Sequence, residues 1–274
     1  MSSATSRPMF AAALWLAVAM AAPGRGAALD GREGVLRLEL TLGGQFSLHE
    51  PVVAVLRLEN GSGHTVDLDL GLNHRGALVF TFTQPDGRQV VRHLPEDFDG
   101  FGEVGQVNLK PGESYREGLV LNDWQPFDQV GTYQYQMTIA VSGQPGPGPA
   151  PALTAAGSFR VTPADANLLA AACGRLAKLA LGQNATAARE AAHALSFAND
   201  EACLPALLQA LAGCFTCRDD VLLALARIGT PQAARGVADA WTRLDGHSRK
   251  TAVADFTQAG KAPLLNAALQ AVKP

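Results

Sequence analysis

Four cysteines are the residues of this chain whose type and spacing offer the most distinct chemistry, and all lie in the C-terminal part of its 274 residues. Two of them, in the stretch Cys214-Phe-Thr-Cys217, have the spacing of a redox dithiol. Such pairs usually begin a helix that follows a strand, because a helix N-terminus lowers the pKa of a thiol. No strand is expected before Cys214, and Asp219 and Asp220 follow the pair directly and disfavour a thiolate. We therefore favour a structural disulfide over a redox role.

The other two cysteines, Cys173 and Cys203, make the number even, which favours disulfides in an exported chain. We predict the bonds Cys214–Cys217 and Cys173–Cys203, one of the three connectivities that four cysteines allow. Zinc is the third alternative, because the spacing lacks the second close pair of common zinc sites.

An acidic stretch offers a candidate calcium loop. Residues 96–103 contain four carboxylates and an Asp-x-Asp-Gly fragment, and calcium needs several hard oxygens on one loop with a glycine at the sharp turn. The candidate ligands are Asp97, Asp99 and Glu103. Phe98 and Phe101 interrupt the usual pattern, so we favour an acidic surface loop and predict neither a metal nor another cofactor.

Catalytic motifs are missing from the sequence. The six histidines are dispersed, and no pair has a helical metal-binding spacing. There is no Gly-x-Ser-x-Gly nucleophile elbow and no phosphate-binding glycine-rich loop with lysine. The sequence therefore favours a protein that is not an enzyme.

The first 28 residues have the pattern of a secretory signal peptide. Arg7 precedes an unbroken apolar run, Met9–Ala22, of 14 residues. This run is shorter than the roughly 20 residues of a membrane-spanning helix, so cleavage is favoured over a retained membrane anchor. We expect a periplasmic or secreted protein with no stable membrane insertion after cleavage.

The charge of the mature chain argues against a nucleic-acid partner. Without residues 1–28 it has 20 basic and 25 acidic residues, a net charge of −5. Nucleic acids and anionic lipids attract a basic face, which this balance does not predict.

Residues 29–162 are predicted to form β-structure. Apolar and polar residues alternate, as in Leu36–Leu42, which is typical of half-exposed antiparallel strands. Further strands are predicted at 52–59, 66–70, 78–82, 89–94, 114–121, 131–141 and 156–161. With Leu109-Lys-Pro-Gly-Glu-Ser114, Trp124 and the corner Val130-Gly-Thr-Tyr133, this half resembles bacterial immunoglobulin-like domains. The resemblance implies an all-β sandwich.

Residues 163–274 are predicted to be helical. Thr162 is expected to cap the first helix, with Pro163 at its first position. Predicted helices occupy 165–181, 186–198, 201–212, 219–228, 231–244, 248–259 and 263–272. In Ala224–Ala233 a helix ends at Gly229 and the next begins at Thr230-Pro231, and similar material recurs about 30 residues apart. This half resembles short HEAT-like repeats. One departure from the pattern of such repeats is Pro205, which lies late in its predicted helix. The alternative is an irregular helical bundle.

Stacked helical repeats present a binding surface. Trp241 aligns with Leu211 one repeat earlier, so it is a candidate for either a core anchor or, with Arg235 and Arg243, a recognition patch. We expect a non-catalytic protein-interaction or adaptor module of the bacterial envelope with a protein partner. The alternative is a proteinase-inhibitor module that acts through a loop of the sandwich.

Overall fold

The computed structural model of the protein describes residues 36–71, 74–94, 105–140 and 152–272. The signal-peptide prediction for residues 1–28 lies outside these ranges, and so does the acidic stretch 96–103 with Asp97, Asp99 and Glu103.

The N-terminal half is rich in β-structure, as the period-two alternation predicts. Its strands are β1 (Leu36–Leu42), β2 (Gln45–Ser47), β3 (Val53–Asn60), β4 (Val66–Asp69), β5 (Leu78–Thr83), β6 (Gln89–Arg92), β7 (Gln106–Leu109), β8 (Ser114–Val120), β9 (Gly131–Ala140) and β10 (Ala152–Thr162). A short 3-10 helix, Leu121–Asp123, follows β8.

These strands form three sheets. The first has the order β1-β3-β8, the second the order β2-β10-β9-β5-β6, and β4 pairs with β7. All pairings are antiparallel except that of β2 with β10. Side chains from all three sheets meet in one apolar cluster, which includes Leu56, Phe80 and Leu68.

The C-terminal half contains seven α-helices in the described residues: α1 (Ala166–Ala180), α2 (Ala185–Leu195), α3 (Leu204–Gly213), α4 (Arg218–Ile228), α5 (Pro231–Ala240), α6 (Gly246–Gln258) and α7 (Ala262–Val272). The odd-numbered helices contact one another in succession, α1 to α3, α3 to α5 and α5 to α7. The even-numbered helices form a second succession, α2 to α4 and α4 to α6. Helices of the two successions also pack on each other, α1 on α2, α3 on α4, α4 on α5 and α6 on α7. The helices therefore form two layers.

The junction between α4 and α5 follows from its residue types. Gly229 has a left-handed backbone with φ +57° at the end of α4, a conformation that glycine adopts at little cost. The Thr230 hydroxyl then accepts a hydrogen bond from the Ala233 N–H at 3.3 Å, and Pro231 occupies the first turn of α5.

Two helix starts differ from their predictions. Thr162 remains in β10, paired with Ser47 of β2, so the side chain that caps α1 is Asp165, which accepts from the N–H groups of Asn167 and Leu168. Pro205 does not lie late in a helix, because residues 201–203 form a separate 3-10 turn and α3 begins at Leu204. Pro205 therefore occupies the first turn, where its missing N–H costs nothing.

The two halves are in contact through one side of the three-stranded sheet. Helix α2 lies against β8, and Val53 and Val120 of the sheet are buried in the apolar cluster of the helices. At Gly118 of β8 the Glu190 carboxylate of α2 occupies the space where a Cβ would stand.

Candidate functional site

Three helix connections lie along one edge of the helical half. They are residues 181–184 between α1 and α2, 214–217 between α3 and α4, and 241–245 between α5 and α6. Leu181 packs against the backbone position of Gly213, where a Cβ would approach its Cδ2 to 2.6 Å. Arg218 Nη1 lies 3.3 Å from Asp245 Oδ2. We call this surface, made of Leu181, Phe215, Arg218, Trp241 and Asp245, the loop edge.

The middle connection is closed by the Cys214–Cys217 disulfide. Cys217 is the N-cap residue of α4, and its backbone N–H donates to Cys214 Sγ at 3.2 Å. The Thr216 hydroxyl lies 3.8 Å from the same sulfur. As the sequence suggests, a helix rather than a strand precedes the pair.

Phe215 lies between these cysteines on the loop edge, and 69% of this large apolar residue is exposed to solvent. The Arg218 guanidinium lies over its ring at 4.8 Å from the centroid. The disulfide fixes the backbone on both sides of the ring, so an exposed aromatic side chain is held beside an arginine that is itself oriented by Asp245.

The second disulfide, Cys173–Cys203, joins α1 to the 3-10 turn before α3. Both residues are fully buried in the helical cluster. This bond closes a segment with a sequence separation of 30 and ties two successive helices of one layer together.

Trp241 is half-buried against the helical cluster and begins a 3-10 turn. The Arg249 guanidinium lies 6.0 Å from its ring centroid, and Arg249 Nε donates to the Trp241 carbonyl oxygen at 3.0 Å. Arg243 is exposed two residues later. Arg235 forms a 3.0 Å ion pair with Asp239 one turn along α5, with both side chains 55% exposed. Trp241 thus has a packing role and an exposed part.

A polar cluster at the junction of the two halves is a feature that sequence reasoning missed. The His193 Nε2–H of α2 donates to Asp123 Oδ1 at 2.7 Å, and Nδ1 lies 3.6 Å from Asp220 Oδ1. Arg75 Nη1 lies 3.5 Å from Asp123 Oδ2 and Nη2 lies 3.4 Å from Glu117 Oε1. Arg75, Glu117 and Asp123 meet within the β-rich half, and His193, 70 residues from Asp123, joins them through the packing of α2 on β8.

The charges in this cluster fix the protonation of His193. Burial alone would lower the pKa of its imidazole, but the hydrogen bonds and charges of Asp123 and Asp220 raise that pKa to about 9. At neutral pH the imidazole is therefore a cation between two carboxylates, and it links the helical half to the β-rich half.

Asp219 and Asp220, which follow the cysteine pair, both have histidine partners. Asp219 Oδ2 lies 3.0 Å from His247 Nε2, and Asp220 faces the charged His193. In the described ranges, no three His, Cys, Asp or Glu side chains group so that they could hold a metal ion. None of the helices described is long and apolar enough to cross a bilayer.

No family model matches the sequence, and no curated protein matches it. A similar solved structure is the CARDB domain of a Pyrococcus furiosus protein in complex with di-metal ions, with 13% identity and a TM-score of 0.28 over 50% of this chain and 99% of that one. Another is a β-glucosidase from Listeria innocua in complex with isofagomine, with 12% identity and a TM-score of 0.29 over 47% of this chain and 16% of that one. Similarities this weak carry no argument about function.

Proposed function

We propose that this protein is a non-catalytic interaction or adaptor module of the periplasm or the secreted fraction of a bacterium, and that the loop edge binds a protein partner. The two halves in this proposal are an immunoglobulin-like sandwich and a short HEAT-like repeat array. The exposed Phe215 on its disulfide-closed loop is the observation that carries the proposal.

The immunoglobulin-like assignment is supported by the contacts of two aromatic residues. Tyr133, near the start of β9, accepts a hydrogen bond on its hydroxyl from the Gln129 N–H at 3.2 Å, which resembles the tyrosine corner of such sandwiches. Trp124 is buried and packs on Phe80 with ring centroids 4.8 Å apart. The shared core of the three- and five-stranded sheets is the arrangement that a sandwich requires.

The HEAT-like assignment is supported by the two layers of helices. In a solenoid each unit contacts its neighbours, and corresponding helices stack in parallel layers. The contacts of α1, α3, α5 and α7, and those of α2, α4 and α6, follow this scheme. The loop edge is then the side on which equivalent connections of successive units line up.

The side chains of the loop edge suit recognition of a protein segment. Aromatic residues and arginine are enriched in the buried core of protein interfaces, where large side chains fill pockets on the partner. Phe215 and Arg218 are preorganised by the disulfide and by the Arg218–Asp245 ion pair, which lowers the entropy cost of binding. The partner surface we expect is an apolar pocket for the phenyl ring with a hydrogen-bond acceptor beside it.

Export is supported by the disulfides of the helical half, since such bonds persist in oxidising compartments. Intact-mass analysis of the natively exported protein tests this part. A mature form that begins near residue 29 agrees with it, and one that begins at Met1 contradicts it.

The binding proposal is tested with the full mature chain as bait. A partner captured from envelope extract is identified, purified and titrated against the wild type, Phe215→Ala and the control Val91→Ala, which removes an exposed apolar side chain (56%) from β6. We expect Phe215→Ala to weaken binding at least about 10-fold, the effect of a hot-spot residue, with an unchanged melting temperature. Equal affinities for all three proteins would contradict the proposal.

Trp241→Ala and Arg243→Ala define the extent of the surface in the same titration. We expect Trp241→Ala to lower the melting temperature because the side chain packs on the helical cluster, and Arg243→Ala to leave it unchanged. If the chain instead inhibits a purified protease, the inhibitor alternative replaces the adaptor.

A further inference from the structure

We propose that the Cys214–Cys217 pair is a thiol–disulfide exchange site for a protein dithiol or disulfide. In the oxidised pair a partner thiolate attacks Cys214 Sγ, and in the reduced pair Cys214 Sγ attacks a partner disulfide. The pair sits on the loop edge, but exchange with small thiols does not depend on the partner surface proposed above. The proposal rests on the position of the pair, on the access to its two sulfurs and on the hydrogen bonds that reach Cys214.

The pair shares one positional feature with exchange dithiols, the start of a helix, although a helix rather than a strand precedes it. Cys217 is the N-cap residue of the 11-residue helix α4, and the free N–H groups and dipole of a helix N-terminus favour Cys217 as the thiolate that leaves when Cys214 is attacked. In the sequence, Asp219 and Asp220 oppose this role. In the structure Asp219 Oδ2 lies 3.0 Å from His247 Nε2, and Asp220 faces the positively charged His193, so the negative charge of Asp220 is offset in part.

Solvent exposure differs between the two cysteines of this pair and between the two disulfides. Cys214 keeps 7% of its surface exposed, whereas Cys217 keeps 1% and both Cys173 and Cys203 keep none. Cys214 is thus the least buried of the four cysteines and the one we expect an attacking thiolate to reach first, whereas Cys173–Cys203 is reached only after the helical cluster opens.

Two donors are aimed at the sulfur of Cys214. The Cys217 N–H lies 3.2 Å from Cys214 Sγ, and the Thr216 hydroxyl lies 3.8 Å from it. Hydrogen bonds to the charged form of a group favour that form. A Cys214 thiolate is thus stabilised in the reduced protein, and Cys217, closed off behind it, is placed to resolve a mixed disulfide.

The exchange is balanced between two thiol pairs. A partner thiolate attacks Cys214 Sγ, the Cys214–Cys217 bond breaks, and Cys217 leaves as a thiolate that takes up a proton. The second thiol of the partner loses its proton, and its thiolate attacks the partner sulfur of the mixed disulfide and releases Cys214. Two electrons pass from the partner dithiol to this pair, one proton is taken up by Cys217, the other proton is released to solvent, and Cys214 is left as a thiolate. In the reverse sequence the reduced pair is oxidised back to the disulfide and a partner disulfide is consumed.

Native-state reduction of the full chain tests the proposal without any mutation. The protein is incubated with dithiothreitol, quenched with N-ethylmaleimide at successive times and mapped by peptide mass. We expect Cys214–Cys217 to be reduced at least about 10-fold faster than Cys173–Cys203. It should also be partly reduced in glutathione buffers that leave Cys173–Cys203 oxidised. Equal rates, or no reduction in those buffers, would overturn it.

Single variants of the full chain separate the two sulfurs. In Cys217→Ser, we expect Cys214 to form a mixed disulfide with oxidised glutathione and to alkylate with a pH midpoint below the ordinary thiol pKa of about 8.5. In the matched control Cys214→Ser, Cys217 should react at least about 10-fold more slowly because it is buried. Similar rates for both variants, or a midpoint at or above the ordinary value for Cys214, would refute the assignment.

Discussion

The two disulfides have different roles at the level of single residues, because the segments they close differ in length. Cys173–Cys203 spans 30 positions and Cys214–Cys217 spans three. In the chain-entropy model a disulfide stabilises by restricting the unfolded chain, and the gain grows with the length of the closed loop. We therefore expect the long bond to contribute more to the stability of the fold than the short one.

We expect Cys173→Ala/Cys203→Ala to lower the free energy of unfolding by about 4 kcal/mol and Cys214→Ala/Cys217→Ala to lower it by about 2 kcal/mol. Urea unfolding of both double variants under non-reducing conditions measures the difference. A larger loss from the short bond would show that Cys214–Cys217 is the main structural bond. Peptide mapping of the wild type without reductant checks the connectivity itself.

His193 makes the stability of the protein depend on pH. The pKa of its imidazole is raised to about 9 in the folded chain, against about 6.5 unfolded. Its contribution is therefore complete below pH 6.5 and is lost as the pH rises through 9, because between these two values only the folded state still holds the proton. The full contribution is on the order of 3 kcal/mol.

Unfolding measured from pH 6 to pH 10 on the wild type, His193→Gln and the control His247→Gln checks this. His247 pairs with one carboxylate on the surface. We expect the wild type and His247→Gln to lose stability across this window and His193→Gln to lack that loss. A pH profile of His193→Gln parallel to the wild type would show that Asp123 and Asp220 do not hold the proton.

At the level of elements, the turn between α4 and α5 is fixed by backbone sterics. Gly229 has φ +57°, and a Cβ there would meet Lys261 side-chain carbons at 2.8 Å and the Ala226 carbonyl oxygen at 3.0 Å. We expect Gly229→Ala to cost about 1–2 kcal/mol in thermal unfolding, the cost of a left-handed residue with a side chain. Gly246→Ala is the control, since a Cβ there meets nothing within 4 Å. Equal effects of the two would show that the turn is not strained by a side chain.

The elements that can be predicted from the sequence are those with a local cause. Alternation over seven residues predicts β1, and Gly229-Thr-Pro231 predicts the turn after α4. Neither β2 nor β7 is predicted from the sequence. Three residues are too few for a period to be recognised in β2, and both strands depend on partners distant in the chain, as Phe46 does on Val161. The prediction for Thr162 is wrong for the same reason, since its strand pairing outweighs its capping tendency.

The residues of the candidate site also differ in whether a local sequence feature predicts them. Cys214 and Cys217 are close in sequence, so their pairing is predictable, whereas Phe215 between them is recognisable only once its exposure is known. The cluster of Arg75, Asp123 and His193 joins three distant segments. Nothing in the neighbouring sequence of any of the three residues marks it, because Arg75 and Asp123 meet through the fold of the β-rich half and His193 joins them when α2 packs on β8.

For the whole molecule, the two halves have separate apolar clusters that meet at a common surface. The helical cluster takes in Val53 and Val120 of the three-stranded sheet, and Val55 packs beside them. His193 and Asp123 join the same surface through a charged hydrogen bond. The β-rich half therefore covers one face of the helical half.

We expect the separate fragments 29–162 and 163–274 each to fold, with β and helical circular dichroism respectively, and the helical one to melt at a lower temperature alone than in the full chain, because α2 loses its cover. Adding the β fragment should raise that melting temperature. Val120→Asp in the β fragment should abolish the rise, and Val91→Asp, on an exposed site of β6, should preserve it.

If neither fragment folds, the halves share one cooperative core. If both fold but mixing leaves the helical melting temperature unchanged, the contact between β8 and α2 contributes nothing to stability, and the two halves are independent modules on one chain.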